Sequence, residues 1–468
     1  MQDETLQDLL HYAAKQGVQL TGIAPRRLPG RGYGMVAVRD VLEGETVLVV
    51  PTRALRTLAT VPKAISRTLD RDVSVHGILA AHLVLDESGD YAAWDAVLPT
   101  PEDLEAGMPL LWPTKLRELL PTPARNALQR QQTKLNADWA AVKAAFGDGA
   151  AEGNKKKDRD RDRGSDKDSD KDSDKDKDKR KTLTKSDYVR AWLLVNSRTF
   201  YYTTPRSEAA LPSHDDRIAM QPVADLFNHA ADRGCRAAYA AQGFSFVADR
   251  PYSEGDEVPI SYGAHANDAL LVEYGFVLAD NRWDEVALDA VLVPRLASSP
   301  HDVVRDDLET AGFWGNYMID AATPGGCYRT QVALRRLLCG NGAAQRTAWL
   351  QFVEGGGNED DDDDGDNEDT GHRGRDEREH VLLECLDDMA ELAHKTLTKI
   401  ERLAKANVGT ESQRSLLALR WRQVEAMVAQ AAKKLREGEE AGVVEEEEEK
   451  QKEGTKTKTK TKKKEATK

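Results

Sequence analysis

The stretch GRGYGMVAV, Gly30 to Val38, can be read in two ways. From Gly32 it satisfies G-x-G-x-x-A, with Gly32, Gly34 and Ala37 in place, which is one form of the dinucleotide-binding fingerprint. That fingerprint needs a strand before it and a helix after it, because its glycines turn the chain between the two and bring backbone amides to a pyrophosphate. Neither flank fits. The preceding APRRLP does not read as a buried strand, and the following MVAVRDV is β-branched rather than helical. The glycines therefore stand at the start of a strand, where they permit a tight turn or a close backbone approach. A second β-branched run, TVLVVP, lies beyond the turn-prone Glu43-Gly44-Glu45, so two strands of a sheet are expected.

Helical patterns surround these strands. Leu6, Leu9, Leu10 and Ala13 recur at helical spacing, with Gly17 as a stop. A mostly helical region, including HGILAAHLVLDE, runs to about Gly149. The run KKKDRDRDRGSDKDSDKDSDKDKDKRK follows. It has no apolar residue to bury and cannot offset the entropy of ordering, so it reads as disordered. Order resumes in TKSDYVRAWLLVNSRTFYY, a helix with Ser186 or Asp187 as its cap. Short strands, among them FSFVADR and EVPISYG, extend to about Asn281. Beyond them, Leu382, Leu386, Met389, Ala393, Leu397, Ile400 and Leu403 form one apolar stripe. Leu417, Trp421, Val424, Val428, Ala431 and Leu435 form another, opened by a capping box from Thr410 to Gln413. Two such helices across a short turn predict an antiparallel pair. The acidic NEDDDDDGDNED and the lysine-rich tail read as solvated segments.

Composition narrows the function classes. With 468 residues, more than one core is expected. The net charge of -14 argues against a general nucleic-acid binder, and no apolar run reaches membrane-span length. Cys235, Cys327, Cys339 and Cys385 are scattered, which fits neither a disulfide framework nor a zinc cage. We therefore expect no metal and a reducing compartment: cytoplasm, nucleus or chloroplast stroma. The start, MQDETLQDLLHYAAKQG, lacks the basic region and apolar core of a signal peptide.

Three further motifs lie downstream of the glycine stretch: Ser197-Arg198-Thr199-Phe200, then Asp225-Leu226-Phe227-Asn228-His229. The last is Ile260-Ser261-Tyr262-Gly263, followed by Asn267 and Tyr274-Gly275-Phe276. In this order the set resembles the SET-domain protein methyltransferases, and within them the branch of the Rubisco large-subunit lysine methyltransferase and the actin-histidine methyltransferase. The resemblance covers roughly residues 1–440, with the two charged insertions as departures. It implies an α+β fold: a knotted small-sheet SET domain with a helical insert, followed by an all-α C-terminal domain. The expected boundaries are 1–285 for the SET domain, with an insert at about 60–220 that contains the charged run 152–182. A helical substrate-binding domain at 286–440 is broken by an acidic loop at 354–378, and 441–468 is a tail.

The resemblance also implies the chemistry, which is methyl transfer from S-adenosyl-L-methionine to a protein nitrogen. Lysine in a non-histone protein is the expected acceptor, since the cysteine clusters that flank many histone-directed relatives are absent. A histidine acceptor and a catalytically silent scaffold are the alternatives. A soluble monomer acting on protein, without nucleic acid or membrane, is expected. An in-line transfer needs donor and acceptor aligned and the amine neutral, and a free lysine with a pKa of about 10.4 is mostly protonated. Tyr262 corresponds to the family's catalytic tyrosine; the alternative is a strand tyrosine satisfied in the core. Arg31, Gly32, Tyr33, Arg198, Asp225, Asn228 and His229 correspond to cofactor-contacting positions. Arg198 offers a guanidinium suited to a carboxylate, and Asp225 would brace its turn or reach the substrate amine. Ser74 and His76 fall near another such segment. Tyr274 corresponds to a residue lining the substrate channel, with core packing as its competitor.

Overall fold

The computed structural model describes residues 3–69, 73–147, 183–211, 213–240, 242–297, 302–355 and 368–437. The charged run 152–182, the acidic residues 356–367 and the tail 441–468 lie outside the described residues. By its internal contacts the chain divides into two units. The first comprises residues 1–112, 124–265 and 269–280; the second comprises 113–123, 266–268 and 281–468.

The first unit mixes small sheets with helices. After the helix Glu4–Lys15, the strands are β1 (Gln19–Leu20), β2 (Ile23–Leu28), β3 (Gly32–Ala37) and β4 (Thr46–Pro51). Further on come β5 (Thr199–Tyr201), β6 (Ile218–Met220), β7 (Arg236–Ala240) and β8 (Gly243–Val247). A four-stranded sheet has the order β1-β4-β8-β7, while β2 pairs with β3 and β5 with β6.

The opening stretch is thus a hairpin arm. Residues 23–28 do form a strand, but one that leaves Arg26 and Arg27 exposed, and Leu28 faces Gly32 across a turn in which Gly30 and Gly32 take positive φ. The two β-branched runs are both strands as expected, yet they join different sheets: β3 pairs with β2, whereas β4 pairs with β1 and β8. Pairing is decided by partners distant in sequence, so local pattern does not reveal it.

Helices cover these sheets. Val75–Leu85 buries nearly its whole length and packs with Lys185–Arg198, whose Trp192, Leu193 and Val195 enter the same core as Val47, Leu48, Phe244 and Phe246. The cap of Lys185–Arg198 is Thr184, not Ser186 or Asp187. Its hydroxyl accepts the Asp187 N–H at 3.1 Å and donates to the Asp187 carboxylate, so Asp187 occupies the third helical position.

The second unit is mainly helical; among the described residues it also holds an antiparallel pair of β9 (Glu285–Ala287) and β10 (Met318–Asp320), with the helices Asp289–Ala297 and Val303–Thr310 between them in sequence. The helix Glu368–Lys405 begins inside the stretch expected as an acidic loop. Residues 411–437 form the next helix. Thr410 and Gln413 make the expected reciprocal cap, at 2.9 and 3.2 Å. Arg436, near the end of this helix, meets Asp387 within the first, as an antiparallel pair requires. Their stripes are buried through Leu382, Leu386, Met389, Leu417, Trp421 and Val424. Among the described residues no helix is long and apolar enough to cross a membrane.

Candidate functional site

The site is built where two stretches of chain cross in the first unit. Residues 228–235 form a loop whose two arms both bond to the segment 258–260. The Ile260 N–H donates to the Asn228 carbonyl at 2.9 Å, and the Ala230 N–H donates to the Ile260 carbonyl at 2.9 Å. On the other arm the Cys235 N–H donates to the Pro259 carbonyl at 2.8 Å. The segment therefore passes between the arms, and β3 holds it from its own side through the Met35 carbonyl, which accepts the Val258 N–H at 2.8 Å. This crossing brings Asn228-His229 and Tyr262 together although 33 residues separate His229 from Tyr262.

Tyr262 lies at the centre. Its hydroxyl donates to the Phe227 carbonyl at 2.6 Å, and its N–H donates to Nδ1 of His229 at 3.0 Å. The His229 ring stacks on it at 5.0 Å between centroids; Tyr274 lies 5.0 Å away and Phe276 meets it edge-on at 6.4 Å. Between Tyr274 and Phe276, Gly275 has φ +82 and its backbone abuts Gly107, where a Cβ would approach the Gly107 carbonyl carbon to 3.1 Å. Burial drives the Tyr262 phenol above its ordinary range, more than nearby Arg198 draws it down. It stays protonated at neutral pH and can donate. Burial, aided by His265, pushes His229 down to about 4, so its ring is neutral. With Nδ1 accepting, the proton sits on Nε2, a buried atom with no partner among the described residues.

Behind this aromatic cluster is a polar turn. Val223, fully buried and β-branched, takes φ +71 and ψ -44, a strained conformation for such a residue. The short 3-10 turn Ala224–Leu226 follows. Asp225 accepts the Trp94 indole N–H at 2.7 Å through Oδ2, while its Oδ1 is buried without a partner. Burial raises its pKa to about 6, against the pull of Arg198 and the indole bond. Arg198 closes the helix Lys185–Arg198 and donates from one terminal nitrogen to the Asp225 backbone carbonyl at 2.9 Å; its Nε is also buried and unpartnered.

A third set lies beside Asn228, whose amide donates to Glu257 at 2.8 Å while Arg31 pairs with the other Glu257 oxygen. Here Gly34 leaves no room for a side chain: a Cβ would sit 2.7 Å from the Asn228 amide nitrogen and 2.5 Å from Leu28.

Of the residues singled out from sequence, Tyr262, Tyr274, His229, Asp225 and Arg198 converge, and Arg31 joins Asn228 through Glu257. The Tyr33 side chain lies apart from them, its hydroxyl bonded to Asp3 at 3.0 Å and to Arg27 at 3.3 Å. Gly32 has open space around it. Ser74 caps its helix and donates to Asp138, and His76 stacks on Trp192 at 4.5 Å. Glu257 and Trp94 went unseen in sequence. Glu257 had a signal in its place within EVPISYG, but Trp94 lies 131 residues from its partner and had none. Among the described residues no group of His, Cys, Asp and Glu is placed to hold a metal ion.

Residues 32–263 match the SET domain family. The chain is 25% identical to SET domain-containing protein 4 of Mus musculus over 91% of its own length and 90% of that protein. A ribosomal lysine N-methyltransferase of Schizosaccharomyces pombe is 28% identical, over 31% of this chain and 35% of that one. The structure of Rubisco LSMT bound to sinefungin and monomethyllysine shares the fold, with a TM-score of 0.57 and 18% identity over 93% of this chain and 92% of that one.

Proposed function

The chain carries a SET domain over residues 32–263, and from that premise we propose that it methylates lysine in a protein, using S-adenosyl-L-methionine. The observation that carries the reading is a half-buried, protonated Tyr262 in a site with three buried polar atoms that have no partner among the described residues: Arg198 Nε, Asp225 Oδ1 and His229 Nε2. Buried polar atoms are normally satisfied, so such a group points to a polar ligand. S-adenosyl-L-methionine fits, because its carboxylate and ammonium call for a donor and an acceptor of these kinds. When bound it supplies a methyl group on a positively charged sulfur, which an amine lone pair can attack as the carbon–sulfur bond breaks.

The residues supply alignment and a dry wall. Arg198 and the Asn228-His229 turn would hold the donor. Tyr262, Tyr274 and Phe276 would wall off the lysine stem, and their apolar faces would lower the pKa of an incoming ammonium so that its free amine becomes accessible. The Tyr262 hydroxyl, fixed by the Phe227 carbonyl, would orient the amine beside the methyl. No covalent intermediate on the protein is needed, and the rate gain comes from geometry.

The experiment is transfer of labelled methyl from S-adenosyl-L-methionine into a fractionated cell extract, with Tyr262→Phe alongside and the labelled protein hydrolysed. Methyl-lysine formed by the wild type, with the variant slower by roughly a hundredfold or more and equally stable, is expected. Equal transfer by both proteins would remove Tyr262 from the chemistry. Methyl-histidine in the hydrolysate would overturn the lysine assignment.

A further inference from the structure

We propose that Trp94 is a positioning residue for this reaction: its indole N–H fixes Asp225 and, with it, the turn whose carbonyls hold Arg198 and Tyr262. The inference rests on the reading of the site given above.

Three facts place Trp94 there. It is completely buried, and its N–H reaches Asp225 Oδ2 at 2.7 Å, a charge-assisted bond in a dry setting. The residue it grips lies inside the turn that serves both functional side chains. Asp225 offers its own carbonyl to Arg198, and Phe227, two residues on, offers its carbonyl to Tyr262. Finally, the turn is entered through Val223 at φ +71, a backbone state that persists only where surrounding contacts over-determine it. Backbone bonds supply part of that restraint, from the Leu226 N–H to the Val223 carbonyl and from the Phe227 N–H to the Ala224 carbonyl. The indole bond adds a side-chain restraint on the same turn.

Trp94 is itself well anchored. The guanidinium of Arg56 lies 5.1 Å from its ring and 3.7 Å from that of Tyr91, and Arg56 pairs with Asp95, the residue after Trp94. A phenylalanine would keep the apolar contact and lose the donor. The bond also bears on ionisation: Asp225 is faced by Arg198, Arg56 and Tyr262, and loss of the indole donor makes its carboxylate harder to form.

Trp94→Phe, Asp225→Asn and the double variant, assayed for methyl transfer against pH, test the proposal. In Trp94→Phe, kcat is expected to fall about tenfold, the KM for S-adenosyl-L-methionine to rise, and the acidic limb of the profile to move up by about one pH unit. The thermal midpoint should fall by the few degrees that the lost indole volume and bond cost, while adding Trp94→Phe to Asp225→Asn should change the kinetics no further. An unmoved acidic limb with only a lowered midpoint, or fully additive losses, would make Trp94 a packing residue and overturn the proposal. An indole ¹⁵N–¹H NMR signal separates the two readings. Its shift in Asp225→Asn reports the bond whether or not methyl is transferred, so an intact bond in a wild type without transfer sinks the proposed function. An unshifted signal sinks the role of Trp94.

Discussion

Arg420 and Asp225 are both charged side chains taken out of water, but their surroundings differ. Arg420, in the second unit, is fully buried and has an acceptor for each nitrogen: Asp268 at 2.8 Å, Asp284 at 2.7 Å and the Glu285 carbonyl at 3.1 Å. Asp225, in the first unit, keeps one oxygen without a partner, and Arg198 and His229 near it each keep a nitrogen in the same state. A buried charge is tolerated in a stable protein when its bonds are complete, and incomplete bonds cost free energy. The complete cluster therefore reads as structural. The incomplete one is the cluster that we propose as a binding site, with hydrogen-bonding capacity left over. Burial alone would not distinguish the two.

The hardest test of this contrast is to break the complete cluster. Arg420→Met removes three bonds and leaves Asp268 and Asp284 buried without their cation. Asp268 is already displaced upward by burial, with Arg420 drawing it back. A loss of about 3–5 kcal/mol in urea unfolding at neutral pH is expected, shrinking in mild acid as the freed carboxyls take up protons. A loss below about 1 kcal/mol would show that completeness is no guide to structural weight.

The incomplete cluster should show itself in the pH dependence of stability. Asp225 rises from 3.8 to about 6 on folding. The folded state then holds a proton that the unfolded state has released, so this contribution is present below about pH 4 and is lost as pH climbs through 6. A gap of that size is worth about 3 kcal/mol. His229 falls from 6.5 to about 4, so its contribution has the opposite sign, being present above 6.5 and lost as pH drops through 4. Half-buried His76, pushed down to about 4 by desolvation, acts in the same direction as His229. Between about pH 4 and 6 the aspartate and the histidines oppose one another. In Asp225→Asn the aspartate's share disappears, and stability should rise with pH more steeply than in the wild type when unfolding is followed at several pH values. Parallel curves would mean that Asp225 titrates as an ordinary carboxyl.

How much of each cluster could be read in sequence follows from the same contrast. Tyr262, Asn228 and His229 were legible because short motifs in a fixed order carry them, and the crossing of 228–235 with 258–260 came only with the family resemblance. Trp94 was not, because what matters is its partner, and a partner 131 residues away leaves no periodicity behind; Glu257 stood within a legible motif, but its bond to Asn228 did not show there. Arg420 was equally silent: a single arginine on a helix gives no hint that Asp268 and Asp284 will meet it. The strand assignments behaved likewise, with β3 and β4 each readable alone but not their separation into two sheets. The cap at Thr184 lies two or three residues before the expected Ser186 or Asp187. Thr184, Ser186 and Asp187 are all able caps, and the choice depends on where the helix meets its core.

The cap at Thr410 is the counter-case and gives the smallest expected effect. Both partners lie within four residues, so the motif that predicts it also contains the physics that forms it. Gly409, at φ +73, leads the chain into the cap, and Gln413 is buried over it. Thr410→Ala should cost about 1 kcal/mol in unfolding and leave the Gln413 N–H without its hydroxyl acceptor. Glutamine at 413 still reaches the residue-410 N–H, so Thr410→Ala with Gln413→Ala should cost more than the first change alone but less than the sum of the two single losses. A fully additive pair would show that the two bonds form independently, and that even this local motif acts as two separate contacts.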